Sequence, residues 1–159
     1  MFVNNNVQWF NDRVDIWEPV CSVLIPMFNA ELTIEKCLES IITQDLSTTI
    51  ECLIVDDGST DGSVFRVEQF LRKVKSPIVF GLFRQPNQGV SSARNLAIRQ
   101  SRGRYICFLD SDDYWLPNKL SEQVALHNAQ PELKISQCEE QWIRNGKPVQ
   151  QKKMHKIPE

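Results

Sequence analysis

The chain has 159 residues, of which 42% are hydrophobic and 24% are charged, and this composition suits one soluble domain with a sizeable core. A formal net charge of −2 gives no support for general nucleic-acid binding. No run reaches the roughly 18 apolar residues that cross a bilayer. The N-terminus also lacks the basic and then apolar pattern of a signal peptide. We therefore expect no transmembrane segment and no signal peptide.

Five cysteines occur in the sequence, with no C-x-x-C pair and no histidine at metal-ligand spacing. They are Cys21, Cys37, Cys52, Cys107 and Cys138. The first four fall in predicted strands or in the first predicted helix, where a free cysteine behaves as a small hydrophobic residue. An odd count in these places favours a reducing compartment, so we expect a cytoplasmic protein. Peripheral contact with the inner face of a membrane, through a partner or another segment, is left open.

Residues 1–19 form a polar leader with scattered aromatic residues, and its run of asparagines disfavours regular structure. We expect a mobile arm or a contact at the edge of a sheet. From Val20 onwards, apolar runs alternate with stretches of helical periodicity. Strands are predicted over Val20–Ile25, Ile50–Val55, Ile78–Phe83 and Tyr105–Leu109. Pro26 is expected to end the first strand, because proline cannot donate to a sheet ladder.

Helices are predicted between these strands from the spacing of their apolar residues. They run from Leu32 to Ile42, from Ser63, from a cap at Ser91 or Ser92 to Gly103, and from Asn118 to a stop before Pro131. This alternation predicts an α/β fold with parallel strands and right-handed crossovers over residues 20–130. Residues 131–159 form a tail, in which Asn145–Gly146 predicts a hairpin.

Chemistry-bearing residues follow each predicted strand. After the first strand, a turn made rigid by proline presents Phe28 for ring stacking and Glu31 for hydrogen bonding to a polar ligand. Taken alone, this motif is better interpreted as a simple turn that ends the strand. After the second strand, Asp56 or Asp57 can accept from an imide N–H or a ribose hydroxyl. The alternative there is a helix cap, which Asp61 alone can supply.

The third constellation is a glycine turn leading into a helix, residues 87–95. It places backbone N–H groups and the positive end of the helix dipole near the strand ends. Arg94 can give a forked contact to a phosphate or a base carbonyl. A salt bridge to Asp110 would satisfy it equally, and both contacts can hold at once.

The fourth constellation is the group of carboxylates after the last predicted strand, Asp110, Asp112 and Asp113. Gathered acids repel one another, and a cation offsets that cost. Oxygen ligands suit Mg²⁺ or Mn²⁺, which take further ligands from water and phosphate. The alternative is a solvated loop in which Asp112 or Asp113 caps the next helix. Because all four constellations fall on one edge of one predicted sheet, we interpret them as a metal–diphosphate site.

These motifs read P-x-F-N-x-E, V-D-D-G-S-x-D, N-x-G-x-S-x-A-R-N and F-L-D-S-D-D. Their order resembles that of the family-2 glycosyltransferases of the GT-A fold, over roughly Val20 to Leu120. The resemblance implies a single Rossmann-like GT-A domain, with a mostly parallel sheet flanked by helices. Its D-x-D motif corresponds to Asp110–Ser111–Asp112.

The resemblance also implies roles for individual residues. The nucleotide-contacting positions correspond to Pro26, Phe28, Glu31, Asp57 and Arg94. Asp57 would meet the uracil or another base, Asp112 would be the principal metal ligand, and Asp110 would lie against the ribose or a metal-bound water. Phe28 stands where tyrosine is common in the family, so stacking is kept and a phenolic hydrogen bond is lost.

By the same resemblance, the chain would be the donor-binding part of an inverting hexosyltransferase of polysaccharide biosynthesis that depends on Mn²⁺ or Mg²⁺. The donor would be a nucleotide-diphosphate sugar, in the first place a UDP-sugar, and the acceptor a saccharide or a lipid-linked saccharide. The family's acceptor-binding half is expected to be truncated, since only residues 114–159 follow Asp113. No general base is identified, and Glu122, Glu132, Glu139 and Glu140 are interpreted as surface charges.

Other classes fit the sequence less well or remain as alternatives. A signalling receiver domain would carry its acid pair after the first strand, whereas Asp56–Asp57 follows the second. A sugar-phosphate nucleotidyltransferase needs a Gly-rich loop after the first strand, and Met27–Phe28–Asn29–Ala30 is not one. A non-catalytic nucleotide-sugar-binding module, or a truncated inactive fragment, stays open.

Overall fold

The computed structural model describes residues 7–10, 18–144 and 146–149. The chain divides into two compact units, one that ends at Glu122 and one that begins at Gln123. Among the described residues, no helix is long and apolar enough to span a membrane.

A five-stranded sheet in the order β1-β4-β3-β2-β5 forms the centre of the first unit. Its strands are β1 Val7–Phe10, β2 Cys21–Met27, β3 Ile50–Asp56, β4 Val79–Arg84 and β5 Tyr105–Phe108. Neighbouring strands from β2 to β5 pair in parallel, and β1 pairs antiparallel with β4. Every residue of β2 and β3 is buried, as the continuous apolar runs of a sheet covered on both faces predict. The predicted mostly parallel α/β sheet is confirmed.

The helices are α1 Ile34–Ile42, α2 Ser63–Lys73, α3 Val90–Gln100 and α4 Lys119–Ala129. On one face of the sheet, Leu53, Val55 and Phe83 pack with Ala93 and Ala97 of α3. Alanine at both helix positions lets α3 lie close to the sheet, and this fixes where its N-terminus meets the strand ends.

Strand β1 covers the edge of the sheet beside β4. The ring of Trp9 lies 5.6 Å from that of Phe83 in an edge-to-face arrangement. Gly81 faces Trp9 in the register, and a Cβ at this glycine would lie 2.9 Å from both rings. The structure thus has an edge strand within the leader, where the sequence predicts only an arm or an edge contact.

The expectation that Pro26 ends the first predicted strand is wrong. Pro26 lies inside β2, opposite Val55 of β3. β5 pairs with β2 only as far as Leu24, opposite Phe108, so beyond that point β2 has a single neighbouring strand. Proline lacks a backbone N–H, but no hydrogen bond to β5 is lost, because β5 does not extend alongside Pro26.

Gly103 does not end α3 either, because the helix stops at Gln100. The glycine is required instead for its closeness to β2, since a Cβ there would lie 2.5 Å from the backbone nitrogen of Ser22. Its own N–H donates to Ser22 Oγ at 2.7 Å. The Ser22 hydroxyl in turn donates to the buried Glu51 at 2.5 Å, so one polar cluster joins β2, β3 and the start of β5.

The second unit contains a two-stranded antiparallel hairpin, β6 Trp142–Arg144 and β7 Lys147–Val149. Gly146 adopts a positive φ of 72° in its turn, a conformation that glycine adopts without strain. The predicted hairpin is confirmed. Elsewhere in this unit, the two ring nitrogens of His127 lie 3.1 Å from the Leu133 carbonyl and 2.9 Å from Ser136 Oγ.

Candidate active site at the carboxyl edge of the sheet

A cavity of about 900 Å³ opens beyond the carboxyl ends of β2, β3 and β5. It is lined by residues 26–33, Asp57, Asp61, Asn87, Gly89, Val90, Ala93 and residues 110–112. This edge of an open α/β sheet is where ligands bind in such folds. The residues predicted to contact the nucleotide or the metal all line the cavity except Arg94, whereas the other candidate acids, Asp56 and Asp113, do not. Strand ends far apart in sequence are thus brought together.

The wall after β2 carries Phe28, whose side chain is 48% exposed at the cavity. The neighbouring Asn29 adopts a positive φ of 50° and is tied to the loop after β3. Its side-chain oxygen accepts from Thr60 N at 2.8 Å, and its N–H donates to Ser59 Oγ at 2.9 Å. A further bond from Ala30 N to Ser63 Oγ, at 2.7 Å, completes this tie. These contacts hold the aromatic ring of Phe28 at the cavity.

Glu31 lies at the N-terminus of α2, where negative charge is favoured. Its Oε2 accepts from Gly62 N at 3.1 Å, and its Oε1 lies 3.8 Å from Arg66 Nη2. Asp61 Oδ1 accepts from Ser63 N at 3.0 Å, but the N-cap of α2 is Gly62, so Asp61 is not the N-cap that the alternative interpretation predicts. Hydrogen bonding from Ser63 lowers the pKa of Asp61. Glu31 thus lines the cavity while its carboxylate already has protein partners.

The adjacent acids Asp56 and Asp57, at the end of β3, have different hydrogen-bond partners. Asp56 Oδ1 accepts from Ser59 N at 3.1 Å, and Asp56 Oδ2 lies 3.5 Å from Arg84 Nε. Asp56 is buried and is absent from the cavity lining, whereas Asp57 lines it. Of the two candidates that the sequence left open, Asp57 is therefore the one positioned to meet a ligand.

Asp57 is only 3% exposed and accepts three hydrogen bonds from the loop between β4 and α3. Its Oδ1 accepts from Gln85 Nε2 at 2.6 Å and from Gln88 N at 2.9 Å. Its Oδ2 accepts from Gly89 N at 2.8 Å. The carboxylate therefore fixes the loop that leads into α3 as well as facing the cavity.

This network corrects the predicted start of α3. The helix begins at Val90, with Gly89 as its N-cap at φ 88°, and neither Ser91 nor Ser92 caps it. Asp57, which follows β3, accepts instead from the N–H of the N-cap residue Gly89 at 2.8 Å, and no N-cap side chain bonds to the first turn. Sequence reasoning also missed Gln85, because nothing local indicates that a residue after β4 bonds to one after β3.

Arg94 and Asp110 form an ion pair, with Arg94 Nη2 2.6 Å from Asp110 Oδ1. The guanidinium carbon lies 6.0 Å from the centre of the Phe108 ring. Arg94 Nε is buried and has no hydrogen-bond partner among the described residues. The salt bridge offered by the sequence is thus present, and the Nε donor of the guanidinium is buried without a partner among the described residues.

The acidic loop after β5 turns back on itself through a bond from Asp113 N to the Asp110 carbonyl at 3.0 Å. Below it, the thiol of Cys37 donates to the same carbonyl at 3.7 Å. Burial, together with the nearby carboxylates, raises the pKa of Cys37 to about 12. Because α4 begins only at Lys119, neither Asp112 nor Asp113 caps it. The capping part of that alternative interpretation is therefore wrong, whereas Asp112 and Asp113 are solvent-exposed as it expects.

No cluster of three or more His, Cys, Asp or Glu side chains suited to a metal ion occurs within residues 7–10, 18–144 and 146–149. The carboxylates of the cavity at this loop are those of Asp110 and Asp112. Asp112 is exposed and, in the described part of the chain, takes part in no hydrogen bond or ion pair. The site thus offers one uncommitted carboxylate and one that is paired with an arginine.

The chain is similar in sequence to curated glycosyltransferases. The chain is 37% identical over 106 residues to the UDP-Glc:alpha-D-GlcNAc-diphosphoundecaprenol beta-1,3-glucosyltransferase WfgD of Escherichia coli, over 66% of this chain and 40% of that protein. It spans 33% to 42% of the length of the first curated relatives that it matches.

Solved structures share the fold. TarS 1-349 of S. aureus in complex with UDP-GlcNAc matches with 32% identity and a TM-score of 0.61, over 70% of this chain and 32% of that one. The mannosyltransferase PcManGT of Pyrobaculum calidifontis, in complex with GDP-Man and Mn²⁺, matches with 26% identity and a TM-score of 0.64, over 70% and 33%. The predicted GT-A fold is confirmed. The model of the family described as Glycosyl transferase family 2 matches residues 22–147, and the chain belongs to that family.

Proposed function

We propose that this chain binds a nucleotide-diphosphate sugar in the cavity and forms the donor-binding part of an inverting, metal-dependent glycosyltransferase. The observation that carries the proposal is the convergence of Phe28, Asp57, Asp110 and Asp112 on one cavity at the carboxyl edge of the sheet. An exposed ring, a buried acceptor and two loop carboxylates match the base, the ribose and the diphosphate of such a donor.

The base would stack on Phe28 and donate an N–H to Asp57, with Pro26 and Glu31 shaping the same wall. A uracil base is supported by the UDP-GlcNAc held in the TarS structure and by the UDP-Glc in the name of WfgD. We therefore propose a UDP-sugar as the donor.

The residues fit a divalent cation that arrives with the diphosphate. Mg²⁺ and Mn²⁺ commonly use one or two protein carboxylates, with phosphate and water as the remaining ligands. Asp112 would be the principal ligand, and Asp110 would lie against the ribose or a metal-bound water, because its Oδ1 is already paired with Arg94. The Mn²⁺ in the PcManGT structure supports this choice of ion. When bound, the cation would neutralise charge on the departing diphosphate.

Transfer with inversion requires an acceptor hydroxyl to attack the anomeric carbon from the face opposite the diphosphate. The new C–O bond forms as the bond to the diphosphate oxygen breaks, and a base takes the hydroxyl proton. Arg94 and the N-terminal N–H groups of α3 would add fixed positive potential near the diphosphate. We assign no described acid to the role of base.

The name of WfgD contains a lipid-linked acceptor, and this supports a saccharide or lipid-linked saccharide acceptor for the present chain. We propose a cytoplasmic hexosyltransferase that acts in polysaccharide biosynthesis at the inner face of the membrane. Residues 20–130 would be the donor-binding core, between a leader over 1–19 and a C-terminal segment over 131–159.

One observation favours a second candidate, a module that binds the nucleotide sugar without transferring it. The two carboxylates at the diphosphate end of the cavity are assigned to the cation and the ribose, which leaves neither for proton abstraction. The two functions differ in whether a sugar is transferred to an added acceptor.

A thermal-shift screen of nucleoside diphosphates, with and without Mn²⁺, tests donor binding. We expect UDP with Mn²⁺ to raise the melting temperature by several degrees, and UDP without metal to raise it less, because a ligand stabilises the folded state that binds it. No shift with any nucleoside diphosphate would contradict the proposed function. Sugar transfer from a UDP-sugar to an added acceptor then separates the enzyme from the binding module.

A further inference from the structure

We propose that Gln85 is a positioning residue that holds Asp57 so that a single carboxylate acceptor faces the base, and that this selects bases carrying an imide or lactam N–H. The inference rests on the proposed function, because it concerns how the same cavity chooses its nucleotide.

Gln85 follows directly after β4, and its backbone N–H donates to the Asp56 carbonyl at 2.9 Å. This bond places the side chain beside Asp57. The side-chain nitrogen donates to Asp57 Oδ1 at 2.6 Å and lies 3.2 Å from Ser92 Oγ. A primary amide has two N–H donors, so both are used and the amide has one orientation.

The hydrogen bonds to Asp57 leave it with little acceptor capacity. A carboxylate has about four acceptor positions, two on each oxygen. Oδ1 accepts hydrogen bonds from the side-chain amide of Gln85 and from the backbone N–H of Gln88. Oδ2 accepts only from the backbone N–H of Gly89. One position on Oδ2 remains, on a residue that is 3% exposed and lines the cavity.

A single buried anionic acceptor discriminates between bases. The N3–H of uracil and the N1–H of guanine can donate to it. The corresponding N3 of cytosine and N1 of adenine carry a lone pair, which the carboxylate repels. A site that hydrogen-bonds one group of its ligand strongly rejects an analogue in which that group is missing, because the polar partner is left unpaired.

Gln85 has a role separate from that of the backbone donors. The N–H groups of Gln88 and Gly89 hold the loop to Asp57, and they remain when the side chain at position 85 changes. Without the Gln85 amide, Oδ1 regains an acceptor position, while the N–H groups of Gln88 and Gly89 still hold the two oxygens. The loop then persists, but the carboxylate no longer offers a single acceptor position in one direction.

The test compares Gln85→Met, which keeps the length of the side chain but removes the amide, with Gln100→Met, an exposed position at the end of α3. Calorimetry in Mn²⁺ measures the Kd for UDP and for N3-methyl-UDP, which lacks the N–H. We expect the natural protein to bind UDP at least about tenfold more tightly than the methylated probe. Gln85→Met should lose most of that ratio by weakening UDP alone, and Gln100→Met should keep it.

A purely structural role for Gln85 would weaken both probes together, so an unchanged ratio in Gln85→Met overturns the inference. Should Gln85→Met fail to fold, Gln85→Asn, whose amide is too short to reach Asp57, is expected to lose the same ratio. A natural protein that binds UDP and N3-methyl-UDP equally would overturn this inference alone. A natural protein that binds neither would overturn the proposed function as well.

Discussion

Arg94 and Asp110 meet at 2.6 Å between α3 and the loop after β5, although they are 16 positions apart in sequence. The pair neutralises one acid of the loop in the protein's own structure. Asp112, two positions further along, has no such partner in the part of the chain that the structure describes. The two acids of the D-x-D motif are therefore not equivalent before any ligand arrives.

Replacement of Arg94 by methionine should weaken UDP binding about tenfold or more, because the guanidinium would no longer supply positive charge near the diphosphate. The melting temperature should change little, since a solvent-accessible ion pair contributes about 0–1 kcal/mol. Calorimetry with UDP and Mn²⁺, together with thermal unfolding, measures both effects. As a control, Arg72→Met removes an exposed ion pair with Glu68 on α2. If both variants bind UDP as the natural protein does, Arg94 has no part in the donor site.

Asp112→Asn should remove the contribution of Mn²⁺ to UDP binding while the fold stays intact, because an amide oxygen is a weaker ligand for a hard cation than a carboxylate. The measurement is UDP calorimetry with Mn²⁺ and with EDTA. In the variant the two titrations should coincide. Asp45→Asn provides the matched control, since Asp45 is an exposed acid after α1 and outside the cavity. A variant at position 112 that retains the full metal effect would remove Asp112 as the metal ligand.

Glu51→Ala should destabilise the protein strongly, although Glu51 lies away from the cavity. Its Oε1 accepts from Ser22 Oγ at 2.5 Å and from Arg102 N at 2.6 Å, and the residue is fully buried. Each donor left without an acceptor in the interior costs about 1–3 kcal/mol. Chemical denaturation should therefore show a loss of about 3 kcal/mol.

The control is Glu68→Ala on α2, whose ion pair with Arg72 is exposed and should contribute only about 0.3–0.5 kcal/mol. Equal losses in the two variants would mean that the cluster around Glu51 does not stabilise the start of β5.

Cys107 should react with iodoacetamide well below the pH at which a free thiol reacts. The hydrogen bond from the Cys21 thiol, with help from the charge of Lys119, lowers the pKa of Cys107 below its ordinary value of 9.0. Burial raises the pKa of Cys37 to about 12, so that thiol should stay unmodified. Mass mapping at pH 7.5 in a Cys138→Ser background, which removes an exposed cysteine, should find label at Cys107 before Cys37.

The same shifts affect stability in opposite directions. Because the folded pKa of Cys107 lies below its ordinary 9.0, its stabilising contribution is present above pH 9 and is lost as the pH falls through the lowered pKa. For Cys37, the contribution is complete below pH 9 and is lost as the pH rises towards about 12. Label at Cys37 ahead of Cys107 at pH 7.5 would contradict both assignments.

The sequence predicts β2 to β5 and the helices between them because parallel strands buried on both faces give continuous apolar runs. It does not predict β1, since Val7–Phe10 becomes a strand only by pairing with β4, about 70 positions away. It places Pro26 at a strand end because one-dimensional patterns do not show that β5 stops pairing at Leu24. Misplaced boundaries therefore occur where a distant strand decides the outcome.

For the candidate site, the sequence predicts which types of residue are present. It does not predict which residues they bond to. The order of the motifs brings Phe28, Asp57 and Asp112 to one cavity, as expected. The serines before Arg94 look like caps, yet the N-cap is Gly89, whose N–H donates to Asp57. A hydrogen bond to a residue 32 positions away leaves no local signal.

The ties between Asn29 and the loop at Ser59 and Thr60, and between Asp57 and Gly89, join segments that are distant in the chain. A donor entering the cavity would therefore meet surroundings that are already ordered, and its association would carry a small entropic cost. The affinity for the donor would then depend mainly on the contacts that the donor makes, because little free energy is needed to reorder the cavity.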